Sequence, residues 1–508
     1  FTYHTPFKPD DLAMDSSDRS FFKKVARASM INPFSEEHKE LELEISGVSA
    51  GASRGKRTKK AIYELQKRIA HLEEKGQARI DAFEGEDRQI MENVFLYELF
   101  YRFKDQYDEL IQNQISAGDT PVRIPFYNEV HAATEERGFG DEAFRHYFAL
   151  AYQIRRAFYF IDRGLIGRSS SMKNLRLNLW KNIFTHNLEL YNKYLRDRME
   201  DFSTLLLGET GTGKGTAALA IGRSGYIPLN KRWKSFSESF TRSFVSLNLS
   251  QFPETLIESA LFGHKKGAFT GAVEDYQGVF ETCSPHGAIL LDEIGEVSEP
   301  IQIKLLQVLQ ERIFTPVGSQ KRSRFKGRVI AATNRPIEDI RERRVFRDDF
   351  YYRLCSDIIT LPPLRWRIQE KPKELDMLLS FTVKRLVGKH SRELTDMVKN
   401  AVDQELGPDY PWPGNVRELE QFVRRILLKG THSSTEPVFE SGTLDRKLVT
   451  GIEYGNIDAA SLVSGYCYLL YQRHNNFEEV ARRTGLDRRT VKKYIQDWDN
   501  SADEAQSS

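Results

Sequence analysis

Apolar and polar positions change rhythm twice along this chain. From Phe1 to about Arg163, apolar residues recur at three- and four-residue steps among long charged and aromatic stretches, which predicts a helical region without regular strand–helix alternation. Within it Ile62, Leu65, Ile69 and Leu72 form one short seam, less than a coiled coil requires, so an intramolecular packing face is expected ahead of a dimer contact. The aromatic sets Phe95, Tyr97, Phe100, Tyr101, Phe103 and Phe144, Tyr147, Phe148, Tyr152, Phe158, Tyr159 also lie on helical spacing. Core packing is their expected role and a ligand pocket the alternative. The small residues of Gly47 to Gly55 run into the basic string Arg54, Lys56, Arg57, Lys59, Lys60, which reads as a solvated loop or helix start.

Between about Leu165 and Pro363, short apolar runs alternate with helical segments: Ser203 to Leu207, Phe244 to Leu249, Ala288 to Leu291 and Val329 to Ala332. That pattern predicts buried parallel strands joined by crossover helices. After Pro362-Pro363 the rhythm is helical through about Lys429, and a polar stretch near Gly430 to Gly455 sets off a last small unit.

Composition narrows the classes without choosing among them. The 508 residues are 40% hydrophobic and 29% charged, which fits globular domains and excludes collagen-like or wholly disordered chains. No run of about 18 apolar residues and no charged-then-apolar leader occurs, so no membrane partner is expected and the expected address is cytoplasmic. Cys283, Cys355 and Cys467 stand far apart, which argues against a disulfide framework or a thiolate zinc site. Lys plus Arg (74) nearly balances Asp plus Glu (72), so any nucleic-acid surface must be local.

The first chemical signal follows the Ser203 to Leu207 strand. Gly208-Glu209-Thr210-Gly211-Thr212-Gly213-Lys214-Gly215-Thr216 leads into an Ala-rich helix, the strand–loop–helix context in which backbone N–H groups wrap a phosphate chain and Lys214 adds a point charge. A nucleoside triphosphate is the expected ligand. A Ser or Thr normally follows the lysine and ligates Mg²⁺. Here Gly215 stands there, and Thr216 is the nearest hydroxyl. Ala288 to Leu291 then ends in Asp292-Glu293, with Asp292 expected to hold Mg²⁺ through water and Glu293 to polarise the attacking water. The strand Arg328 to Ala332 ends in Thr333-Asn334, polar groups placed to sense the γ-phosphate.

With these comes a Gly-flanked tip, Gly267-Ala268-Phe269-Thr270-Gly271-Ala272, preceded by Leu261-Phe262-Gly263-His264. As a bare pattern it is a mobile turn carrying one exposed aromatic. From about Leu165 to Leu428 the chain resembles the AAA+ domain of bacterial sigma-54-dependent transcription activators, and this hexapeptide is the most specific piece of the likeness. The resemblance implies that the tip touches sigma-54 and transmits nucleotide state to the polymerase. It implies that Asn248 is the switch that holds Glu293 from water, that Arg347 and Arg353 in Phe346 to Leu354 are arginine fingers reaching a neighbouring subunit, and that Arg417 in Trp412-Pro413-Gly414-Asn415-Val416-Arg417-Glu418-Leu419 stands over the phosphates. A hexameric ring follows from fingers supplied in trans, with dimers as the resting form. Three departures stand out: Gly215 where the family commonly has Glu, a longer and more basic segment from Gly225 to Arg242, and a longer stretch from Met172 to Asp201.

At the carboxy end, Phe477 to Gln496 has Ala481 at a helix crossing, Gly485 at a turn and Val480, Leu486, Val491 and Tyr494 facing inward, the spacing of a helix-turn-helix. Asp487 can cap a second helix whose outer face carries Arg488, Arg489, Thr490, Lys492 and Lys493, suited to double-stranded DNA. It resembles the Fis-like domain that closes chains of this family.

The expected fold is therefore an α/β AAA+ domain, a P-loop NTPase with a parallel sheet and helices on both faces, plus a helical lid, a helical N-terminal domain and a C-terminal helix-turn-helix. The expected boundaries are 1–164 regulatory, 165–363 α/β, 364–430 lid, 431–465 linker, 466–500 DNA-binding and 501–508 disordered. The expected function is an ATP-hydrolysing activator that binds upstream DNA and opens the closed complex of sigma-54 RNA polymerase. The alternatives are an ATP-dependent DNA-binding repressor or scaffold, and an AAA+ remodeller of another protein. The first 163 residues lack a receiver-domain layout, and control through a ligand or protein contact is expected of them.

Overall fold

The computed structural model describes residues 14–230, 232–342, 345–430, 448, 452 and 457–506, the last eight in backbone only. Most of the expected linker lies outside the described residues. Two compact units are present, Phe1–Leu428 and Lys429–Ser508.

The first unit begins with eight helices: α1 (Ser16–Met30), α2 (Glu36–Ser46), α3 (Arg54–Glu74), α4 (Gly85–Arg102), α5 (Lys104–Ala117), α6 (Tyr127–Glu136), α7 (Asp141–Gly164) and α8 (Ser170–Phe184). The basic string is a helix start, with the Ser53 hydroxyl accepting from the Lys56 N–H. Arg57, however, is buried against Glu42 and donates to the Ala52 carbonyl, so it is a packing cation and not a solvated one. The seam of α3 packs inward: Leu65, Ile69 and Leu72 are buried in one core with Phe22, Val25 and Met91.

Of the strands that follow, five make the main sheet: β1 (Thr204–Leu207), β2 (Phe244–Asn248), β3 (Ala288–Asp292), β4 (Arg328–Thr333) and β5 (Asp357–Thr360). They form a parallel sheet ordered β2-β3-β4-β1-β5. Successive side chains of a strand alternate between faces, and the burial follows this. Leu206, Leu290, Ile330 and Ala332 point to one face. Leu205, Leu207, Ile289, Leu291, Val329 and Ala331 point to the other. The second face is covered by α10 (Glu254–Phe262), α11 (Glu299–Glu311) and α12 (Asp348–Leu354), and the first by α9 (Lys214–Gly222).

The helical region is not insulated from the sheet. The core of the first face also contains Leu110, Phe148, Tyr152 and Phe160 from α5 and α7 and Leu179 and Phe184 from α8. Arg328 reinforces the join from the first residue of β4, donating to the Asn182 carbonyl at 3.1 Å, Asn182 Oδ1 at 2.9 Å and the Phe202 carbonyl at 2.8 Å. Periodicity shows that a helix has an apolar face but not what covers it, which is why the sequence suggests a boundary near 164 where the packing has none.

The lid comprises α13 (Leu364–Glu370), α14 (Lys373–Val387), α15 (Arg392–Glu405) and α16 (Asn415–Lys429), packed around Leu379, Val383, Val402, Trp412 and Val423. The second unit contains α17 (Ala459–His474), α18 (Phe477–Thr484) and α19 (Arg488–Gln506), around Cys467, Val480, Val491 and Ile495. Helix α19 runs to Gln506 through residues expected to be disordered. Ala502, Glu504, Ala505 and Gln506 are good helix formers, and no Gly or Pro interrupts them.

Candidate nucleotide site and its coupling elements

The parallel register brings Leu207, Asn248, Asp292 and Thr333 to one edge of the sheet. Leu207 opens into the phosphate loop, where Gly211 (φ 83°) and Gly213 (φ 103°) occupy the left-handed region that glycine alone enters freely. Lys214, buried at the first turn of α9, donates from Nζ to the Gly208 carbonyl at 2.7 Å and bridges the loop. Burial holds its ammonium below the usual lysine range and Arg417 adds to this, while Glu293, Asp292 and Glu209 oppose it. Four charges, from the end of β3, the phosphate loop and the lid, therefore act on one ammonium. That is the convergence expected of a polyphosphate site.

Glu293 follows β3 with φ 56°, a left-handed conformation costly for a non-glycine residue, and its N–H donates to Asp292 Oδ1 at 3.1 Å. Asn334 Nδ2 donates to Thr210 Oγ1 at 3.4 Å, so the end of β4 touches the loop. Thr333 plays another part: it is buried, and its hydroxyl accepts from the Arg335 N–H at 3.2 Å. Asn248 stands beside Asp292 in register, but its Oδ1 accepts from the Ser250 N–H at 3.0 Å and the Ser250 hydroxyl at 2.8 Å, and no hydrogen bond to Glu293 is made. Thr216 turns its methyl toward Gly164 at the end of α7, whereas a side chain at Gly215 would meet open space.

The lid meets the loop through residues to which the sequence analysis gave no role. Arg365 pairs with both carboxylate oxygens of Glu209, holding that group below the usual glutamate range with help from Asn415. Asn415 is fully buried at φ 54°, accepts from the Leu364 N–H at 2.7 Å, and donates to Glu209 Oε2 at 3.1 Å and the Thr210 carbonyl at 3.0 Å. The Val416 N–H donates to the Gly211 carbonyl at 3.1 Å. Arg417, one residue on, is exposed beside the loop, its Cβ 3.0 Å from where a Cβ on Gly211 would stand. The Pro-Gly-Asn run was the available signal, because Asn is among the few residues that tolerate the left-handed region in a tight turn.

The Gly267–Ala272 segment is a closed turn. The Gly267 N–H donates to the Ala272 carbonyl at 2.8 Å and the Ala272 N–H to the Phe269 carbonyl at 3.0 Å. The expected exposed aromatic is corrected here: Phe269 is half-buried, edge-on to His264 at 4.9 Å, and Thr270 is the exposed side chain of the tip. Arg347 pairs with Glu299 at 2.7 Å and with Asp349, and Arg353 donates to the Leu309 carbonyl at 2.9 Å. Both arginines of α12 and its cap are thus engaged within their own chain.

In the second unit, Asp487 caps α19, accepting from the N–H groups of Arg489 at 2.9 Å and Thr490 at 3.0 Å. The Thr490 hydroxyl also bonds Asp487, so it serves the cap. Arg488, Arg489, Lys492 and Lys493 are exposed, and Gly485 makes the turn at φ 72°.

A parallel sheet in this order, with a phosphate loop after β1, two acids after β3, a polar end to β4 and a helical lid bonded to the loop, defines a P-loop domain of the AAA+ class. Residues 184–360 match the family described as the sigma-54 interaction domain. Over that segment the chain is similar to the sigma-54-dependent transcription activators. It is 42% identical over 253 residues to a Nif-specific regulatory protein of Azotobacter vinelandii, covering 49% of this chain and 43% of that protein. It is 34% identical over 304 residues to the DNA-binding transcriptional regulator NtrC of Rhizobium meliloti, covering 59% of this chain and 54% of that one. The chain thus spans about half the length of these relatives. A crystal structure of NtrX from Brucella abortus is similar at 18% identity, covering 73% of this chain and 80% of that chain with a TM-score of 0.39. No described helix is long and apolar enough to cross a membrane.

Proposed function

We propose that this chain is an ATP-hydrolysing transcription activator that binds double-stranded DNA through α19 and drives the Gly267–Ala272 turn against sigma-54 RNA polymerase. The observation that carries the reading is the coexistence, in one sigma-54 interaction domain, of the Lys214–Asp292–Glu293 cluster and the intact tip with Thr270 exposed.

The loop N–H groups and Lys214 bind the phosphate chain. Asn334 and Arg417 flank its outer end. Glu293 takes the proton of the attacking water at its carboxylate. The site fits a magnesium ion by its donor set, the hard carboxylate oxygens of Asp292 and Glu293 at the end of β3, and the cation would draw its remaining ligands from phosphate and water. Asp292 would hold Mg²⁺ through water, and the ion when bound would screen phosphate charge. Asn248, now bonded to Ser250, can exchange that partner for Glu293 when the nucleotide changes. Arg347 supports a finger role because its ion pairs are half-exposed, and such pairs contribute little to stability and are readily traded for a neighbour's phosphate. A hexameric ring is the assembly that this requires.

The test uses the full chain with ATP and Mg²⁺. Glu293→Gln should lower turnover by about 10²- to 10⁴-fold, the range for a lost general base. Thr270→Ala should leave turnover within about twofold and abolish open-complex formation by sigma-54 polymerase on a promoter with the chain's own binding site. Turnover that survives Glu293→Gln, or a Thr270→Ala chain that still opens the promoter, refutes the proposal. A repressor or scaffold that uses ATP only to assemble would bind it without hydrolysis, and a remodeller of another protein would hydrolyse it without opening the promoter.

A further inference from the structure

We propose that the N-terminal helices enclose a binding site for a planar aromatic carboxylate. A cavity of about 1110 Å³ lies among α1, α3, α4 and α7 and is closed partly by α8. That is at or above the size of pockets that hold drug-sized ligands. Its wall is rich in rings, including Tyr63, Phe100, Tyr107, Tyr147, Phe158 and Trp180. Seven of the eleven aromatic positions whose expected role was core packing, with a ligand pocket as the alternative, thus border open space.

The polar groups of the wall select the ligand's charge. The Arg54 guanidinium lies 4.5 Å over the ring of Phe158, and its nearest carboxylate, Asp162, is 3.8 Å away, a loose pair. Its charge acts on His38, Tyr97 and Tyr101, so these groups cluster around it. His38 is 5% exposed, and its ring makes no hydrogen bond among the described residues. Burial keeps its imidazole neutral, with an N–H to give. Tyr97 and Tyr101, their ring centroids 4.8 Å apart, also line the cavity, and each carries an O–H donor. Donors therefore converge on the cavity around the Arg54 guanidinium. A carboxylate on a flat ring satisfies them, whereas a plain hydrocarbon leaves them unmet. The wall also carries the cations Lys59, Lys104 and Arg155 and the carboxylates Glu92, Asp105, Asp162 and Glu189, with Arg155 already paired to Asp108.

Helix α7 is positioned to report occupancy. Ala151, Ile154, Arg155 and Phe158 face the cavity. On its other side Arg156, fully buried, donates to the carbonyls of Arg223 at 2.8 Å and Gly225 at 2.7 Å, and Gln153 donates to the Ser224 carbonyl at 2.9 Å. Those carbonyls close the far end of α9, the helix that begins at Lys214. One helix thus lines the cavity and grips the phosphate-loop helix. This coupling rests on the nucleotide-site reading; binding in the cavity does not.

The experiment titrates the full chain with 2-naphthoate and follows tryptophan emission, with Trp180→Phe to show that the signal arises at the wall. Saturable quenching is expected. Arg54→Gln should weaken 2-naphthoate at least tenfold and leave the neutral 2-methylnaphthalene unchanged, and Ala151→Phe, which fills the cavity, should abolish binding of both. Thermal melts by circular dichroism confirm that the variants fold. Quenching that never saturates, or variants that bind as the unaltered chain does, overturns the site. With 2-naphthoate bound, affinity for a fluorescent ATP analogue should change by the same factor by which the analogue changes 2-naphthoate affinity. Saturable quenching with unchanged analogue affinity overturns the coupling alone.

Discussion

Replacing Asn415 by Asp should undock the lid from the phosphate loop. The change keeps the size of the side chain and the oxygen that accepts from the Leu364 N–H, and converts the donor facing Glu209 into a second carboxylate oxygen. At the present separation of 3.1 Å, two like charges repel by about 5 kcal/mol at an effective dielectric of 20. Arg365 already neutralises much of the Glu209 charge, so about half of that repulsion is expected to remain. Losing the donor to the Thr210 carbonyl adds about 1 kcal/mol. A net penalty of about 3 kcal/mol shifts the docked population about a hundredfold. Trp412, buried in the lid core three residues before Asn415, supplies the fluorescence readout in a urea titration, and a fluorescent ATP analogue reports the site. Glu209→Gln, added to Asn415→Asp, removes the repulsion and should recover most of the loss. An Asn415→Asp chain with unchanged midpoint and analogue affinity, or a double variant no better than the single, refutes the reasoning.

Other outcomes follow from the same geometry. A methyl group on Gly211 would lie 2.2 Å from the Gly414 carbonyl oxygen, so Gly211→Ala should cut nucleotide affinity at least tenfold. Gly213→Ala meets no atom within 4 Å and should cost only about 1–2 kcal/mol of backbone strain, as calorimetry would show. Burial lowers the His38 imidazole from its ordinary 6.5 to about 4, against Glu42 and with Arg54 and Arg57. The unfolded chain therefore takes up a proton first: the contribution is full above pH 6.5 and is lost as pH falls toward 4, about 3 kcal/mol in all. Urea midpoints of the unaltered chain should fall across that interval more steeply than those of His38→Gln. For DNA, Arg489→Gln should weaken binding to all sequences alike and flatten the salt dependence of log K by about one unit, measured by anisotropy, if the residue contacts phosphate.

The sequence was most legible where geometry is local. A phosphate loop, the acids ending a strand and the cap at Asp487 are each specified within about ten residues, and the register then sets Asp292, Asn248 and Thr333 on one edge. Roles that depend on a distant partner were not legible. The hydroxyl of Thr333 turns back to the Arg335 N–H, Phe269 rests on His264, and Asn415 acquires its importance from Glu209, some two hundred positions away. Likewise the aromatic spacing of α4 and α7 identified an apolar face and could not distinguish a filled interior from a lined hollow.

The continuous packing between the first eight helices and the sheet has a practical outcome for anyone dissecting this molecule. Cutting the chain near residue 164 would not release a free-standing motor. It would strip Phe148, Tyr152 and Phe160 from the flank of the phosphate-loop helix and leave Leu206, Ala218 and Ile221 wet. A dead or aggregated fragment would then say nothing about repression. In such a protein the helical region and the nucleotide site must be interrogated by single side chains within an intact polypeptide.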